Sequence, residues 1–324
     1  VNWMMTQPLN YCTQAAENMR IINEDLFKRE ADQRTNLAIA TSAREAIILM
    51  HLAEKFILPE WGKIFEKHEI DLISDVQIPT RLPYPIVALE YHCDYRDPRC
   101  EPMMPQELES SKRIALCVET EALHEHTTLF AHVHDNHIGS TPGYYVFPVC
   151  YSDGMKCWTP PPATMFFPRG GNEQMQAMKD LGLCAVLPLG YVCYKHYPES
   201  ERSTRAARDV ADEVFAMIHL LTALAIDKGK HTLLPAPVKL NKKRAKKGRI
   251  PMYEYKILDI VADVLQAPQS ASKPHQGGTH ASPRMHKRRG HVRRLRSGRT
   301  TWVRNAIIGK PGHGSVEKEY SVHE

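Results

Sequence analysis

"YPIVALEY", residues 84–91, is a short run of apolar, aromatic and β-branched residues, and three more of the same kind follow: "RIALCVET" (113–120), "YYVFPVCY" (144–151) and "LCAVLPLGYVCY" (183–194). Runs of this length and make-up read as strands. Proline-heavy stretches such as "TPPPATMFFPRGG" (159–171) separate them, a pattern that fits an antiparallel or mixed sheet with long connections. On both sides of this block the pattern turns helical. Upstream, "ENMRIINEDLFKREADQR" (17–34) and "SAREAIILMHLAEKFIL" (42–58) predict helices between about residues 10 and 75, with Pro59 ending the second and "EWGKIFEKH" (60–68) adding a turn or two. Downstream, residues 203–227 predict a helix with Val210, Val214, Met217, Ile218, Leu221, Leu224 and Ala225 on one face, ready to pack on the sheet. The expected fold class is α+β. A helical N-terminal region (1–78) precedes an α+β core (79–235), and a basic C-terminal region (236–324) contributes a flexible linker and a β-hairpin.

With 324 residues, 43% of them apolar and 24% charged, the chain has the composition of a folded protein of one large or two modest domains. No run approaches the roughly 20 apolar residues of a membrane span, and the start lacks the charged-then-apolar order of a signal peptide. A cytoplasmic protein without a membrane partner is expected. Val1 stands where a Met would, which points to a trimmed start or a literally written initiator, with Met4 and Met5 as other beginnings. The eight cysteines include no C-x-x-C pair, so a zinc ribbon is not indicated, and Cys117 and Cys184 sit in apolar runs where a thiol acts as a small hydrophobe. No G-x-S-x-G, H-E-x-x-H or Walker pattern occurs, and no cofactor is expected. "GKPGHGS" (309–315) lacks the Gly-Lys-Ser/Thr ending of a phosphate loop and reads as a hairpin loop.

Charge is distributed unevenly. Residues 238–304 hold 18 Lys and Arg against 3 acids, a net +15, whereas the rest holds 24 against 34, a net −10. A contiguous basic segment on an acidic body is the footprint of a polyanion-binding end, because each neutralised phosphate releases condensed counterions. A solvated or intramolecularly paired tail has the same composition. The segment opens with "NKKRAKKGR" (241–249), a basic turn or loop that offers Lys242, Lys243 and Arg244. A short helix bearing Ile257, Ile260, Val261, Val264 and Leu265 follows, then a Pro/Gly/Ser/Gln-rich linker over 267–283. "HVRRLRSGRTTWVRNAIIG" (291–309) predicts two strands about Ser297-Gly298, to which "SVEKEYSV" (315–322) could add a third. Arg284, His286, Lys287, Arg288, Arg289, His291, Arg293, Arg294 and Arg296 are the RNA-contact candidates, with Trp302 as a stacking platform. An edge hairpin kept soluble by its charges would look alike.

Two groups of histidines invite chemistry. His286 and His291, with Arg289 to stabilise a pentavalent phosphate, are the catalytic candidates for metal-independent RNA cleavage, since imidazole donates or accepts a proton near neutrality. His280 could assist. The other group lies in "LHEHTTLFAHVHDNH" (123–137), where His124, His126, His132 and His134 form two i,i+2 pairs that would each face one way on a strand, beside Glu125 and Asp135. These four are metal-ligand candidates.

The C-terminal "GTHASPRMHKRRGH" (278–291), with a hairpin carrying Trp302-Val303 after it, resembles the H-x-R-R-Gly/Ala-H segment of the type V-A anti-CRISPR family that suppresses production of the type V-A nuclease, and of its phage and plasmid relatives. "PVKLNKKRAKKGRIPMYEYKIL" (237–258) is similar to the family's Pro/Lys-rich loop leading into an aromatic strand and helix. The likeness covers about residues 235–309. Family members carry an aromatic after the second histidine, where this chain has Val292 and Arg293. The resemblance implies a protein that recognises the nascent N-terminal polypeptide of the nuclease and lowers its mRNA, with RNA or the ribosome as second partner. It also implies His286, Arg288, Arg289 and His291 as motif residues, with Arg284 and His280 as weaker matches. The acidic, aromatic middle of the chain is the expected place for the peptide site. The alternative reading is an endoribonuclease using the same His/Arg motif; a structural component of a phage or plasmid system is a third.

Overall fold

The computed structural model describes residues 8–26, 33–66, 69, 80–94, 109–169, 185–186, 198–227, 229–261, 284–288, 290–304, 306–308 and 310–315. The linker at 267–283, most of the run at 183–194, His280, Arg289, Val264, Leu265 and residues 316–322 lie outside them. The fold is α+β, as the alternation of patterns suggests.

Its centre is a nine-stranded mixed sheet. β1 (Glu54–Ile57), β2 (Ile86–His92), β3 (Lys112–Glu119), β4 (Gly143–Ser152), β5 (Cys157–Thr159), β6 (Thr164–Pro168), β7 (Ala185–Val186), β8 (His231–Leu234) and β9 (Tyr255–Leu258) run in the order β7-β6-β4-β3-β2-β1-β9-β8, with β5 beside β4. β2, β3 and β4 are joined antiparallel over full registers, Ile86 opposite Val118 and Glu119 opposite Tyr144. β1 is parallel to both β2 and β9. The N-terminal third therefore supplies a strand to the sheet, and so does the segment after residue 236.

These central strands are apolar on both faces, which is why they read as continuous runs and not as alternation. Val87, Leu89 and Tyr91 of β2 face one buried cluster with α6 (Ala211–Asp227); Ile86 and Ala88 face another with α1 (Tyr11–Leu26) and α2 (Gln33–Leu52). Helices thus cover both sides of the sheet. α3 (Thr120–His126) and α4 (Leu129–His137) follow β3 on the α1 and α2 side, and α5 (Glu199–Asp209) precedes α6. Buried carboxylates from other elements satisfy the first N–H groups of two helices. Glu90 accepts from Tyr11 N (2.9 Å) and Cys12 N (2.7 Å) at the start of α1, and its third partner is the Tyr255 hydroxyl (2.7 Å). Glu45 does the same for α4.

Several local expectations are corrected. "EKFI" (54–57) is strand and not the end of a helix, because Phe56 and Ile57 are buried and its ladder to β2 outweighs local propensity. The proline-heavy 159–171 stretch contains strand β6, whose Phe166 is wholly buried. "NKKRAKKGR" begins inside a helix, α7 (Val238–Ala245); Ile257, expected on a short helix, lies in strand β9, and the chain turns helical only at 259–261, with Ile260 and Val261. The long helix at 203–227 is two, divided at Val210. "GKPGHGS" enters a strand, β14 (Lys310–Ser315), which with β10 (Arg284–Arg288) and β13 (Ala306–Ile308) makes a three-stranded sheet in the order β13-β10-β14. The hairpin about Ser297-Gly298 is present: β11 (His291–Arg294) pairs antiparallel with β12 (Thr300–Val303), and Gly298 takes the positive φ (79°) its turn requires.

Candidate functional site

The basic hairpin has an inner and an outer side. Val292 and Trp302 are directly opposite one another across the β11–β12 ladder, and both are buried with residues of α6 in the cluster on that face of the sheet. Trp302 is 9% exposed and meets Phe65 edge-on at 6.4 Å. Its indole is part of the core and not an open platform for a base, a correction to the stacking role. Val292 likewise points inward, with its N–H on Glu69 (3.2 Å). Arg293, Arg294, Arg296 and Arg299 are all exposed, so the hairpin presents arginines to solvent. Arg304 is exposed too but pairs with Asp259 at 2.8 Å.

The motif histidines fall on two strands. His286 pairs through its backbone with Ile308 in the three-stranded sheet, with Arg284, Lys287 and Arg288 on the same strand; His291 begins β11, beyond the break at Gly290. His291 is half-buried, as is Arg288, whose Nε is buried without a hydrogen-bond partner. Arg289 lies outside the described residues.

The other basic cluster is elsewhere. α7 is tied to α1: Arg244 ion-pairs with Glu17 (2.7 Å) and bonds the Ile250 carbonyl (2.8 Å), while Arg20 of α1 bonds the Gly248 carbonyl (3.1 Å). Lys242 and Lys243 remain exposed beside it. The continuous positive segment in sequence becomes two surfaces, one fastened to α1 and one packed on α6. Arg244 serves as the fastening for the first.

The histidine-rich run is helical, not strand. At i,i+2 spacing on a helix two side chains stand about 160° apart. The pairs His124/His126 and His132/His134 are therefore split, and a different set converges: His124 near the end of α3, with His134 and Asp135 from α4. One ligand atom from each lies within 4.8 Å of the others. His124 Nδ1 bonds the Thr120 carbonyl one turn back (2.7 Å), and its Nε2 faces Asp135 Oδ1 at 2.9 Å. His134 is 2% exposed and holds the Tyr145 hydroxyl through Nδ1 (2.8 Å). The two imidazoles meet edge-to-face with centroids 5.2 Å apart. Asp135 raises the His124 pKa, chiefly through their hydrogen bond, whereas burial lowers that of His134 and keeps it neutral. Glu121, Ser140 and Thr141 line the opening above them. The Arg169 guanidinium holds Glu121 down at about 2 by bonding both its oxygens (2.6 and 2.7 Å). His126 and His132 stay outside this group; His132 Nε2 meets Asn136 Nδ2 at 2.9 Å. Asp135 was visible in the sequence as a neighbour, but the positioning role of Tyr145 was not, since nothing in a strand 11 residues away signals it.

Two further buried groups, Glu213 and His219, have structural partners. Glu213 of α6 accepts two bonds from Arg113 (2.7 and 3.1 Å) and one from Tyr91 (3.0 Å). His219 accepts from Ile64 N and Phe65 N (3.3 Å each), and burial depresses its pKa to about 4. Cys12, Cys93 and Cys117 are buried free thiols, each pushed up by burial. Among the described residues no helix is long and apolar enough to cross a membrane. No family model matches this chain, and neither does any curated protein or solved structure.

Proposed function

We propose that this chain is a non-enzymatic inhibitor of the anti-CRISPR kind: it binds a nascent polypeptide, the N-terminus of a type V-A nuclease, and lowers the corresponding mRNA through an RNA- or ribosome-facing basic end. The observation that carries the reading is the β11–β12 hairpin, which anchors itself by Val292 and Trp302 and turns Arg293, Arg296 and Arg299 to solvent. Guanidinium groups on a rigid, core-anchored ribbon suit phosphate oxygens, because the fork geometry is preorganised. With Trp302 buried, contact rests on phosphates and is insensitive to base sequence. The acidic remainder of the chain leaves room for a separate peptide surface. The His/Arg motif serves on this reading to shape the junction between β10 and β11, not to cut.

The test joins binding to outcome. RNA affinity of the intact protein is measured over a salt series beside a variant with Arg293, Arg296 and Arg299 changed to Ala, and both are co-expressed with a reporter carrying the nuclease's N-terminal codons. Expected are a salt slope shallower by about 2 to 3 in the variant and a fall in translated reporter mRNA with the intact chain only. Reporter mRNA that does not respond to the intact chain overturns the proposal. Cleavage of naked RNA by purified protein, lost in His286→Ala, establishes the ribonuclease instead.

A further inference from the structure

We infer that His124, His134 and Asp135 form a binding site for a first-row divalent metal ion of the Zn2+ class, on the α3–α4 shoulder of the sheet and independent of the basic end. The set offers two imidazole nitrogens and one carboxylate oxygen, donors that suit such ions. Its ligand atoms converge to within 4.8 Å of one another. A tetrahedral ion with arms of about 2.0–2.1 Å needs ligand atoms about 3.3 Å apart. His124 Nε2 and Asp135 Oδ1, at 2.9 Å, stand close to that spacing, and both side chains are exposed enough (42% and 61%) to open to it around an ion.

The arrangement behind these donors distinguishes them from histidines gathered by chance. A ligating imidazole characteristically has its other ring nitrogen held by a second group, which fixes ring orientation and tautomer. Both rings here are held in that way. The Thr120 carbonyl takes His124 Nδ1, which leaves Nε2 for the ion; the Tyr145 hydroxyl takes His134 Nδ1, which again leaves Nε2. Two helices supply the set, and each is fixed independently: α3 continues directly from β3, while Glu45 of α2 caps α4. His134 is the buried anchor, and the exposed pair closes from above. Three protein donors under an open surface lined by Ser140 and Thr141 leave a coordination position for water or a fourth ligand.

The full-length protein, stripped with chelator, is titrated with Zn2+ by calorimetry and with Co2+ by visible absorption. Expected is one ion per chain, with His124→Ala and Asp135→Asn each weakening binding at least about tenfold. Tyr145→Phe, which removes only the group holding His134, should weaken it by about tenfold without lowering the Tm of the metal-free protein by more than a few degrees. His126→Ala and His132→Ala should leave affinity within about twofold, because neither belongs to the converging set. Absence of one-to-one binding overturns the inference, as does equal loss in the His126 and His132 variants. His134→Ala is avoided as the primary test, since the buried ring also packs against Tyr145 and Phe166.

Discussion

Gly290 lies against the indole of Trp302: a Cβ at residue 290 would stand 2.5 Å from Cζ2 and 3.0 Å from Cε2 of that ring. The glycine of the R-R-G-H segment is thus required by close packing at the β10–β11 junction. Gly290→Ala should force the indole or the strand aside and destabilise the protein by about 1–3 kcal/mol, the usual range for overpacking. A lower urea midpoint with an unchanged m-value checks this.

Arg113 and Glu213 form a buried two-point ion pair between β3 and α6, with Asp212 adding a second carboxylate 2.9 Å from Arg113 Nη1. Arg113→Met alone should cost about 3–5 kcal/mol, because it strands the Glu213 charge. Adding Glu213→Leu and Tyr91→Phe to it should recover most of that loss, since the three buried members of the network are then gone and Asp212 is left exposed to water. Denaturant melts of the single and triple variants make the comparison.

His219 is neutral in the fold, with its folded pKa of about 4 below the ordinary 6.5. The unfolded chain therefore takes up a proton first as the pH drops. Its contribution is complete above about pH 6.5 and is lost as the pH falls toward 4, about 3 kcal/mol across that window. His219→Gln keeps an acceptor for Ile64 and Phe65 but does not titrate. It should lose less stability than the wild type between pH 7 and pH 4.5 in urea melts at each pH.

Glu45 takes the place of a side-chain cap on α4, accepting from Thr128 N (2.7 Å), Leu129 N (2.8 Å) and Phe130 N (3.0 Å). Glu45→Ala should cost about 1–2 kcal/mol, within the range of lost caps. Because α4 carries His134 and Asp135, the same substitution should also weaken Zn2+ binding severalfold. Glu45→Gln should recover part of both in thermal melts and calorimetry.

Local chemistry was enough to locate what depends on a few adjacent residues. The β-rich runs at 84–91, 113–120 and 144–151 are strands because each carries its own apolar pattern, and Gly298 sets the hairpin turn because few residues accept its φ. The same holds for the concentration of arginines on that hairpin, which is a property of composition. What depends on partners distant in sequence was not legible. "EKFI" became a strand through its pairing with β2 and β9, and Trp302 became core through α6 and Phe65. Strand alternation would pair His124 with His126 and His132 with His134, but on helices the period is 3.6, and only the packing of α3 beside α4 brings His124 to His134 and Asp135. Periodicity and charge belong to the chain alone. Which side chains meet, and whether a tryptophan or a run of lysines faces water, is decided by packing against other elements of the fold, where tertiary contacts outweigh local preference.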